Sequence, residues 1–500
     1  MLSKNNVIKT LYFISCAFAV LLVCTRSSFL YPYNNWDDAN SYFTMGKGMM
    51  NGLVIYRDLY DQKGPFLYLV YGIAYLISNR SFAGVFVIEI LFAGFFAAEM
   101  FMILKLYCSE KVSLLSVPVL LAIVYSSRCL YWGGSAEELC LPLFGYSLYS
   151  FLKFSGNTKQ SIPPLRVLFI NGLAAGVVMN VKYNMLGFYI GLFFAFLLIY
   201  VLHRDYRTFF KGIMIIASGM FLATLPWLIY FGANGSLGSW YECYVYNNVH
   251  IYSNFEDRIA VSERIYKLAK KALDIVLKNN PASLFAICGG LYTLLAPRKT
   301  FVEKIGISFS VFFLFLGIYI GGGTLDYYAI PFMVYVVLGF VVIGVICGYI
   351  CKKLFSSFTV SRYFFAGVSI LFICLSAFTA YMRTPNREFM AQDKDNYFLT
   401  KAAAHITDEN ASLANINYLD CGLYTATGIV PNIRYFQTNG IAVEEMFEEQ
   451  ARYIREGVTD YIIICDNYPD SIYDHYELLD QWEVDQSEYH FNLFLFKKIM

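Results

Sequence analysis

Residues 31–65 read Tyr31-Pro32-Tyr33-Asn34-Asn35-Trp36-Asp37-Asp38-Ala39, then Tyr42, Gly46-Lys47 and Gly52, then Tyr56-Arg57-Asp58-Leu59-Tyr60-Asp61-Gln62-Lys63-Gly64-Pro65. An acidic pair stands about seven residues past a first apolar segment, and Lys63-Gly64-Pro65 closes the stretch just before further apolar sequence. Carboxylates and a lysine gathered where a lipid-borne substrate can reach them point to chemistry on a lipid headgroup.

The surroundings are membrane. The chain is 58% hydrophobic, 18% aromatic and only 15% charged, with a mean hydropathy of +0.50. That composition belongs to polytopic membrane proteins. The formal net charge of +1 hides a split: from Arg383 to the end there are 9 Lys/Arg and 20 Asp/Glu, leaving −11 there and +12 over the rest. A basic membrane body and an acidic, soluble tail of 118 residues follow, the tail being long enough for a core of its own. Nucleic acid is not the expected partner, because the basic charge lies in short inter-helix loops and not in one patch. The twelve cysteines show no Cys-x-x-Cys and no Cys/His cluster. Most sit in hydrophobic runs, where they read as small apolar fillers.

A membrane span needs about 20 apolar residues. Eleven segments qualify: 7–30, 82–106, 112–131, 138–154, 166–182, 184–202, 209–231, 280–297, 304–322, 327–350 and 362–382. Segment 7–30 reads as an uncleaved first span with Lys4 and Lys9 holding its start inside. The run Phe66 to Ile77 is only twelve residues long and reads as an interfacial or re-entrant helix. Charge arbitrates. With eleven spans and the N-terminus cytoplasmic, Lys105 and Lys111, then Lys153, Lys159 and Arg166, then Arg204, Arg207 and Lys211, fall inside. So do Arg298, Lys299 and Lys304, and Lys352, Lys353 and Arg362. Every inner loop is then basic, as the positive-inside rule requires. Residues 31–81, 132–137, 232–279, 323–327 and the tail fall on the outer face of the cell membrane. The aromatic-rich loop 232–279 carries an amphipathic stretch, Ile259 to Leu277, suited to the outer bilayer surface or to packing on the tail. In the tail, Tyr397–Ile406 and Val443–Arg455 have helical patterns, while Tyr461–Cys465 and Tyr489–Phe496 have strand patterns. The expected architecture is therefore a polytopic α-helical membrane domain, residues 1–382, followed by an extracytoplasmic α/β domain, residues 383–500.

Acidic residues at the ends of spans are costly unless they are solvated or functional. Asp37 and Asp38 follow the first span. Glu137 and Glu138, in Trp132-Gly133-Gly134-Ser135-Ala136-Glu137-Glu138, join the third and fourth. Both sets fall at the same membrane depth, which permits one shared cleft. The plainer reading makes them ordinary solvated loop carboxylates. Lys182-Tyr183 ends the fifth span, where a lysine commonly snorkels to headgroups or contacts a phosphate.

In their order, Asp38-x-x-x-Tyr42, Gly46-Lys47, Gly52, Tyr56-Arg57-Asp58, Lys63-Gly64-Pro65 and Ser135-Ala136-Glu137-Glu138 resemble the GT-C class of membrane glycosyltransferases. The branch they resemble holds the protein O-mannosyltransferases and lipid A aminoarabinose transferases. The resemblance covers roughly residues 7–380 and departs from the family at two places: its usual Lys-Pro-Pro is Lys63-Gly64-Pro65 here, and its second-loop aspartate is a glutamate pair. It implies an inverting glycosyltransferase that moves a sugar from a polyprenyl-phosphate donor to a hydroxyl of an envelope glycan, lipid or protein. By the same resemblance Asp38 is the general base, with Asp37 beside it, and Lys63, Arg57 and Lys182 contact the donor phosphate. Glu138 or Glu137 orients the acceptor, positions the base or binds a metal. Tyr42 and the segment Asp326-Tyr327-Tyr328 lie near substrate. A divalent ion stays open, since some relatives use one and others do not.

Two other classes compete. O-antigen ligases and polymerases place key arginines and a histidine in one large outer loop, where this chain offers only Arg258, Arg264 and His250. A transporter or flippase of lipid-linked sugars needs charges mid-span at broken helices; here the charges cluster at outer ends instead, apart from Glu89 and Glu99 within the second span. The tail is expected to roof the cleft or select the acceptor while the membrane body alone holds Asp38, Lys63 and Glu138.

Overall fold

The computed structural model describes residues 4–156, 162–252, 261–354, 361–441, 443–486 and 489–499. Lys159, Arg258 and Ile259 lie outside them. Among the described residues the chain is mostly helical, and the strands are confined to the tail. Seven helical stretches among the described residues are long and apolar enough to cross a membrane: Asn5–Cys24, Ala83–Lys105, Leu165–Leu202, Tyr206–Ala233, Phe301–Tyr319, Asp326–Ile350 and Arg362–Arg383. The sequence reading has eleven. The helices Glu110–Tyr125, Leu141–Ser155 and Ala282–Leu295 are shorter than 18 residues, and 166–182 and 184–202 run together as one helical stretch.

Four helices open the chain: α1 (Lys4–Cys24), α2 (Asp37–Met50), α3 (Pro65–Ile77) and α4 (Ala83–Lys105). Helix α3 has 13 residues, about 20 Å at 1.5 Å per residue, against a hydrocarbon core of about 30 Å. It starts where it does because Gly64 caps it in an extended conformation and Pro65 occupies its first turn, where the missing N–H costs nothing.

The chain divides into two compact units that do not follow chain order. One contains residues 1–25, 89–226 and 258–387; the other contains 26–88, 227–257 and 388–500. The tail thus forms one unit with the first polar stretch, although the sequence reading draws its boundary at residue 382.

Within that second unit, α2 crosses α3 at close range. A Cβ on Gly46 would stand 2.4 Å from the backbone nitrogen of Gly72, so only glycine permits the crossing. The other side of α2 is covered by the tail. Lys47, fully buried, donates to the carbonyls of Tyr424 at 2.7 Å and Ile429 at 3.2 Å. Ser41 donates to Gln437 at 2.5 Å and Thr44 to Asp420 at 2.6 Å. Gly46-Lys47 is thereby explained by packing. Burial holds the Lys47 ammonium down at about 7, against the pull of nearby Asp420.

The tail builds a four-stranded sheet from β1 (Leu413–Ile416), β2 (Tyr461–Cys465), β3 (Tyr476–Gln486) and β4 (Tyr489–Lys498), in the order β1-β2-β4-β3. β1 and β2 are parallel, and β4 runs antiparallel to its neighbours β2 and β3. The run Tyr461-Ile462-Ile463-Ile464-Cys465 is apolar throughout because every residue of β2 is buried. Helix Glu444–Glu456 is also where the sequence expects one.

In the first unit, the stretch Val261–Lys278 forms the expected amphipathic helix and buries none of its residues.

Candidate active site

The first two carboxylates occupy the opening turn of α2, where the helix dipole favours negative charge. Twenty-five residues later, Lys63 stands two residues ahead of Pro65 at the start of α3. The two helix starts bring Lys63 Nζ to 3.4 Å from Asp38 Oδ1, with the lysine side chain 9% and the aspartate 14% exposed. At that burial the pair acts in an environment less polar than water, where charge–charge interactions gain strength.

Several contacts fix this arrangement. The Lys63 N–H donates to the Tyr68 hydroxyl at 2.8 Å, and its carbonyl accepts from Tyr56 at 2.5 Å. Tyr68 in turn donates to buried Asp61 at 2.8 Å, and Asn439 of the tail donates to the same carboxylate at 2.7 Å. Burial raises the Asp61 carboxyl above the ordinary range, with Lys63 opposing the rise. Tyr56 has a φ of +70°, a strained setting for a bulky residue, and its ring is fully buried. Tyr42 lies under the lysine, with Nζ 5.6 Å from its ring centroid.

Asp37 is half-buried. One of its oxygens accepts the Asp38 N–H at 2.8 Å. Its carboxyl is pushed up to about 7, by burial first and by the neighbouring Asp38 charge second. Near neutral pH it is therefore divided between acid and carboxylate. Arg57 is engaged by its neighbour: Nε lies 2.7 Å from Asp58 Oδ1 and Nη2 lies 2.9 Å from Oδ2. The third contact of that guanidinium, at 3.1 Å, is the carbonyl of Asn234.

The remaining sequence candidates fall in the other unit. Gly133 and Gly134 adopt φ of +79° and +75°, which turns the 133–138 loop back on itself. The Gly134 N–H reaches both Glu89 Oε1 at 2.6 Å and Glu138 Oε2 at 3.2 Å. Thr25 donates to Glu89 at 2.9 Å. Glu138 is thus buried beside a second carboxylate. Glu137 takes a different partner: its Oε1 lies 2.5 Å from Lys182 Nζ, and its Oε2 is buried without a hydrogen-bond partner among the described residues. Lys182 Nζ also lies 3.7 Å from the Tyr328 ring centroid and 5.4 Å from that of Tyr327, a cation–π arrangement. Asp326 accepts from Lys278 at 2.9 Å and Arg128 at 3.3 Å. The structure therefore groups Asp37, Asp38, Lys63 and Tyr42 in one unit, and Glu137, Lys182, Tyr327 and Tyr328 in the other.

Among the described residues no group of three or more His, Cys, Asp or Glu side chains is placed to hold a metal ion. The acids that sequence reasoning offers as metal ligands are engaged instead by cations and backbone N–H groups.

No protein-family model and no curated protein sequence matches the chain. Solved structures do. The ArnT enzyme of Cupriavidus metallidurans bound to undecaprenyl phosphate superposes with a TM-score of 0.62 at 13% identity, over 99% of this chain and 98% of that one. Its apo form gives 0.62 at 11% identity. The Archaeoglobus fulgidus oligosaccharyltransferase in complex with zinc and sulfate gives 0.51 at 15% identity, over 91% of this chain and 67% of that one. The chain has the GT-C fold.

Within this GT-C fold, three residues escape the sequence reading. Asp61 lies inside the quoted stretch, yet nothing local shows that Tyr68 and a tail asparagine both converge on it. Glu89 reads as a mid-span acid, and only the fold brings it to Gly134. Arg128 falls near the outer end of the predicted span 112–131 and draws no notice there until Asp326, 198 residues away, meets it.

Proposed function

We propose that the chain is an inverting glycosyltransferase of the cell membrane. Its donor is a sugar on a polyprenyl phosphate, and its acceptor is a hydroxyl of an envelope glycan, lipid or protein outside the cell. The observation that carries the reading is the part-buried Asp38–Lys63 pair at the adjacent starts of α2 and α3. The GT-C fold supports it, and so does the undecaprenyl phosphate bound by the ArnT structure that shares it.

The chemistry needs little more. The acceptor oxygen forms a bond to the anomeric carbon, and the bond from that carbon to the phosphate oxygen breaks. The leaving phosphate keeps the electron pair, so no general acid is required. Asp38 takes the acceptor proton. Lys63 offsets the negative charge on the phosphate as it leaves, with the α3 N-terminus behind it as a second favourable field. Attack from the face opposite the phosphate inverts the anomeric configuration. Tyr42 packs under Lys63 and shapes the donor side. Glu137, Glu138, Lys182, Tyr327 and Tyr328 form the second part of the proposal, acting on acceptor and lipid. Arg57 contributes less, because Asp58 already occupies its guanidinium.

The test is direct. Purified protein in detergent is given a polyprenyl-phosphate sugar together with an envelope extract as acceptor. Release of polyprenyl phosphate with transfer of the sugar in inverted configuration is expected. Retention of configuration, or no release with any lipid-linked sugar tried, overturns the reading.

A further inference from the structure

A cavity of about 400 Å³ lies within the second unit, walled by the segments 26–34 and 80–86 and by residues near 392. Its lining includes Arg26, Arg80 and Lys394 and no aspartate or glutamate. Asp38, Lys63 and Tyr42 are not part of it. Such a volume is in the range of small-molecule sites. Three cations around one cavity with no lining carboxylate favour an anionic occupant.

The cations differ in role. Arg26 is buried, with 1% of its surface exposed, and is held in place: Nη1 lies 2.6 Å from Asn35 Oδ1, and its guanidinium stacks 3.7 Å from the Phe389 ring centroid. A planar guanidinium fixed in this way is preorganised for a phosphate or carboxylate. Arg80 and Lys394 are exposed at the rim. Arg80 also pairs with Glu409, an exposed carboxylate outside the lining, and such exposed pairs exchange partners at little cost. Lys394 Nζ lies 5.5 Å from the Tyr33 ring centroid.

The remaining wall mixes polar side chains, among them Ser27, Asn34 and Gln392, with aromatic and apolar ones. Phe29 is 71% exposed, and its ring meets that of Phe86 at 6.0 Å. In sequence, Arg26 comes two residues after α1 ends, and Ala83 begins α4, so the cavity is built from the residues that join two membrane-spanning candidates. An exposed aromatic ring, Phe29, beside cations suits an amphiphile better than a free ion. We infer that this cavity binds the phosphate of a membrane-borne amphiphile, at a site separate from the Asp38–Lys63 pair, with the anion on Arg26, Arg80 and Lys394 and the apolar part against Phe29 and Phe86.

The test uses full-length protein in maltoside micelles, titrated calorimetrically with dodecyl phosphate and, separately, with inorganic phosphate. All measurements are made in a Lys63→Ala background, so that a second phosphate site at Lys63 cannot supply the signal and failure of the donor reading does not affect the result. Dodecyl phosphate should bind. The exposed double change Arg80→Gln/Lys394→Gln should weaken that binding by about tenfold or more, since each charge-assisted contact is worth at least that order. Arg26→Gln should weaken it further; being a buried change, it is read only if the variant keeps the melting behaviour of its parent. Unchanged affinity in the rim double variant, or no dodecyl phosphate binding once Lys63 is removed, overturns the site. Inorganic phosphate binding as tightly as dodecyl phosphate overturns the assignment to an amphiphile.

Discussion

Lys63 Nζ lies 3.4 Å from Asp38 Oδ1, a cation and a carboxylate from the starts of two consecutive helices, both largely removed from water. The pair holds its geometry before any substrate arrives. In the proposed reaction, a donor phosphate beside Lys63 would compete for its charge and release Asp38 toward an acceptor hydroxyl. On that proposal, one contact links donor binding to the base.

Asp38→Asn keeps the shape and loses the proton acceptor. Transfer should fall by about 100-fold to 10,000-fold, the usual range for a general base, while the melting temperature stays near that of the parent. Turnover of a polyprenyl-phosphate sugar by the purified variant measures it. Asp37→Asn should cost far less activity. If the two variants exchange ranks, Asp37 is the base.

Lys63→Ala should raise the donor KM by about tenfold or more, whereas Lys63→Arg should recover part of that loss, because charge against a phosphate is the proposed role. The check is donor dependence at fixed acceptor. Equal donor KM in all three proteins would reduce Lys63 to a headgroup anchor.

The gathering of Asp38 and Lys63 in one polar stretch was legible from local composition, but the start of α2 at Asp37 was not, because residues 31–81 read as an outer loop. The covered strand β2 was legible for a similar reason, as a run of five apolar residues. The misses have other causes. β1 is only 4 residues long, and β3 reads Tyr-Glu-Leu-Leu-Asp-Gln-Trp-Glu-Val-Asp-Gln, with no clean alternation. The segment Tyr241–Ile251 is helical, although its aromatic and polar mixture reads as loop. Glu89 could not be placed by inspection, since its partners Thr25 and Gly134 lie 64 and 45 residues away. Nor does any periodicity reveal that the tail covers α2 through Lys47, because that contact is made between a side chain and backbone carbonyls.

Asp37 supplies a pH signature. Its carboxyl rises from the usual 3.8 to about 7 in the folded chain. Between those values the folded protein holds a proton that the unfolded chain has released, so the contribution to stability falls as pH rises through the window. Asparagine stays neutral and can still accept the Asp38 N–H. The melting temperature of Asp37→Asn should therefore exceed that of the parent by a margin that grows from pH 4 and levels off above about pH 7. Thermal unfolding in detergent across that range measures it. A margin independent of pH removes the burial explanation.

The tail contacts change what a truncation should do. From the sequence alone, a chain ending near Thr384 keeps donor binding. In the structure, Asp420, Gln437 and Asn439 bond to Thr44, Ser41 and Asp61, and Lys47 depends on two tail carbonyls. Each buried polar group left without its partner costs about 1–3 kcal/mol. The truncated chain should therefore lose donor binding along with acceptor use. Binding of undecaprenyl phosphate to the truncated chain, compared with the full chain, decides between the two.

The orientation in the membrane yields the last prediction. Gly238 and Ser471 are exposed positions on segments assigned to the outside, and Arg207 is exposed in the first turn of the helix Tyr206–Ala233, in a segment assigned to the inside. Ser135 and Ser236 would be poor reporters, since both are buried, and a bulky reagent needs access. Gly238 accepts a side chain without conflict, because a Cβ added there meets no atom within 4 Å. Native Cys288, Cys347 and Cys374 are exposed and must first be replaced by serine. In that background, cysteines at 238 and 471 should react with a membrane-impermeant thiol reagent added to intact cells, and one at 207 should react only after the membrane is opened. Reaction at 207 together with protection at 238 and 471 would place the tail inside. It would mean that α3 crosses the membrane despite its 13 residues, and that every later loop is reversed.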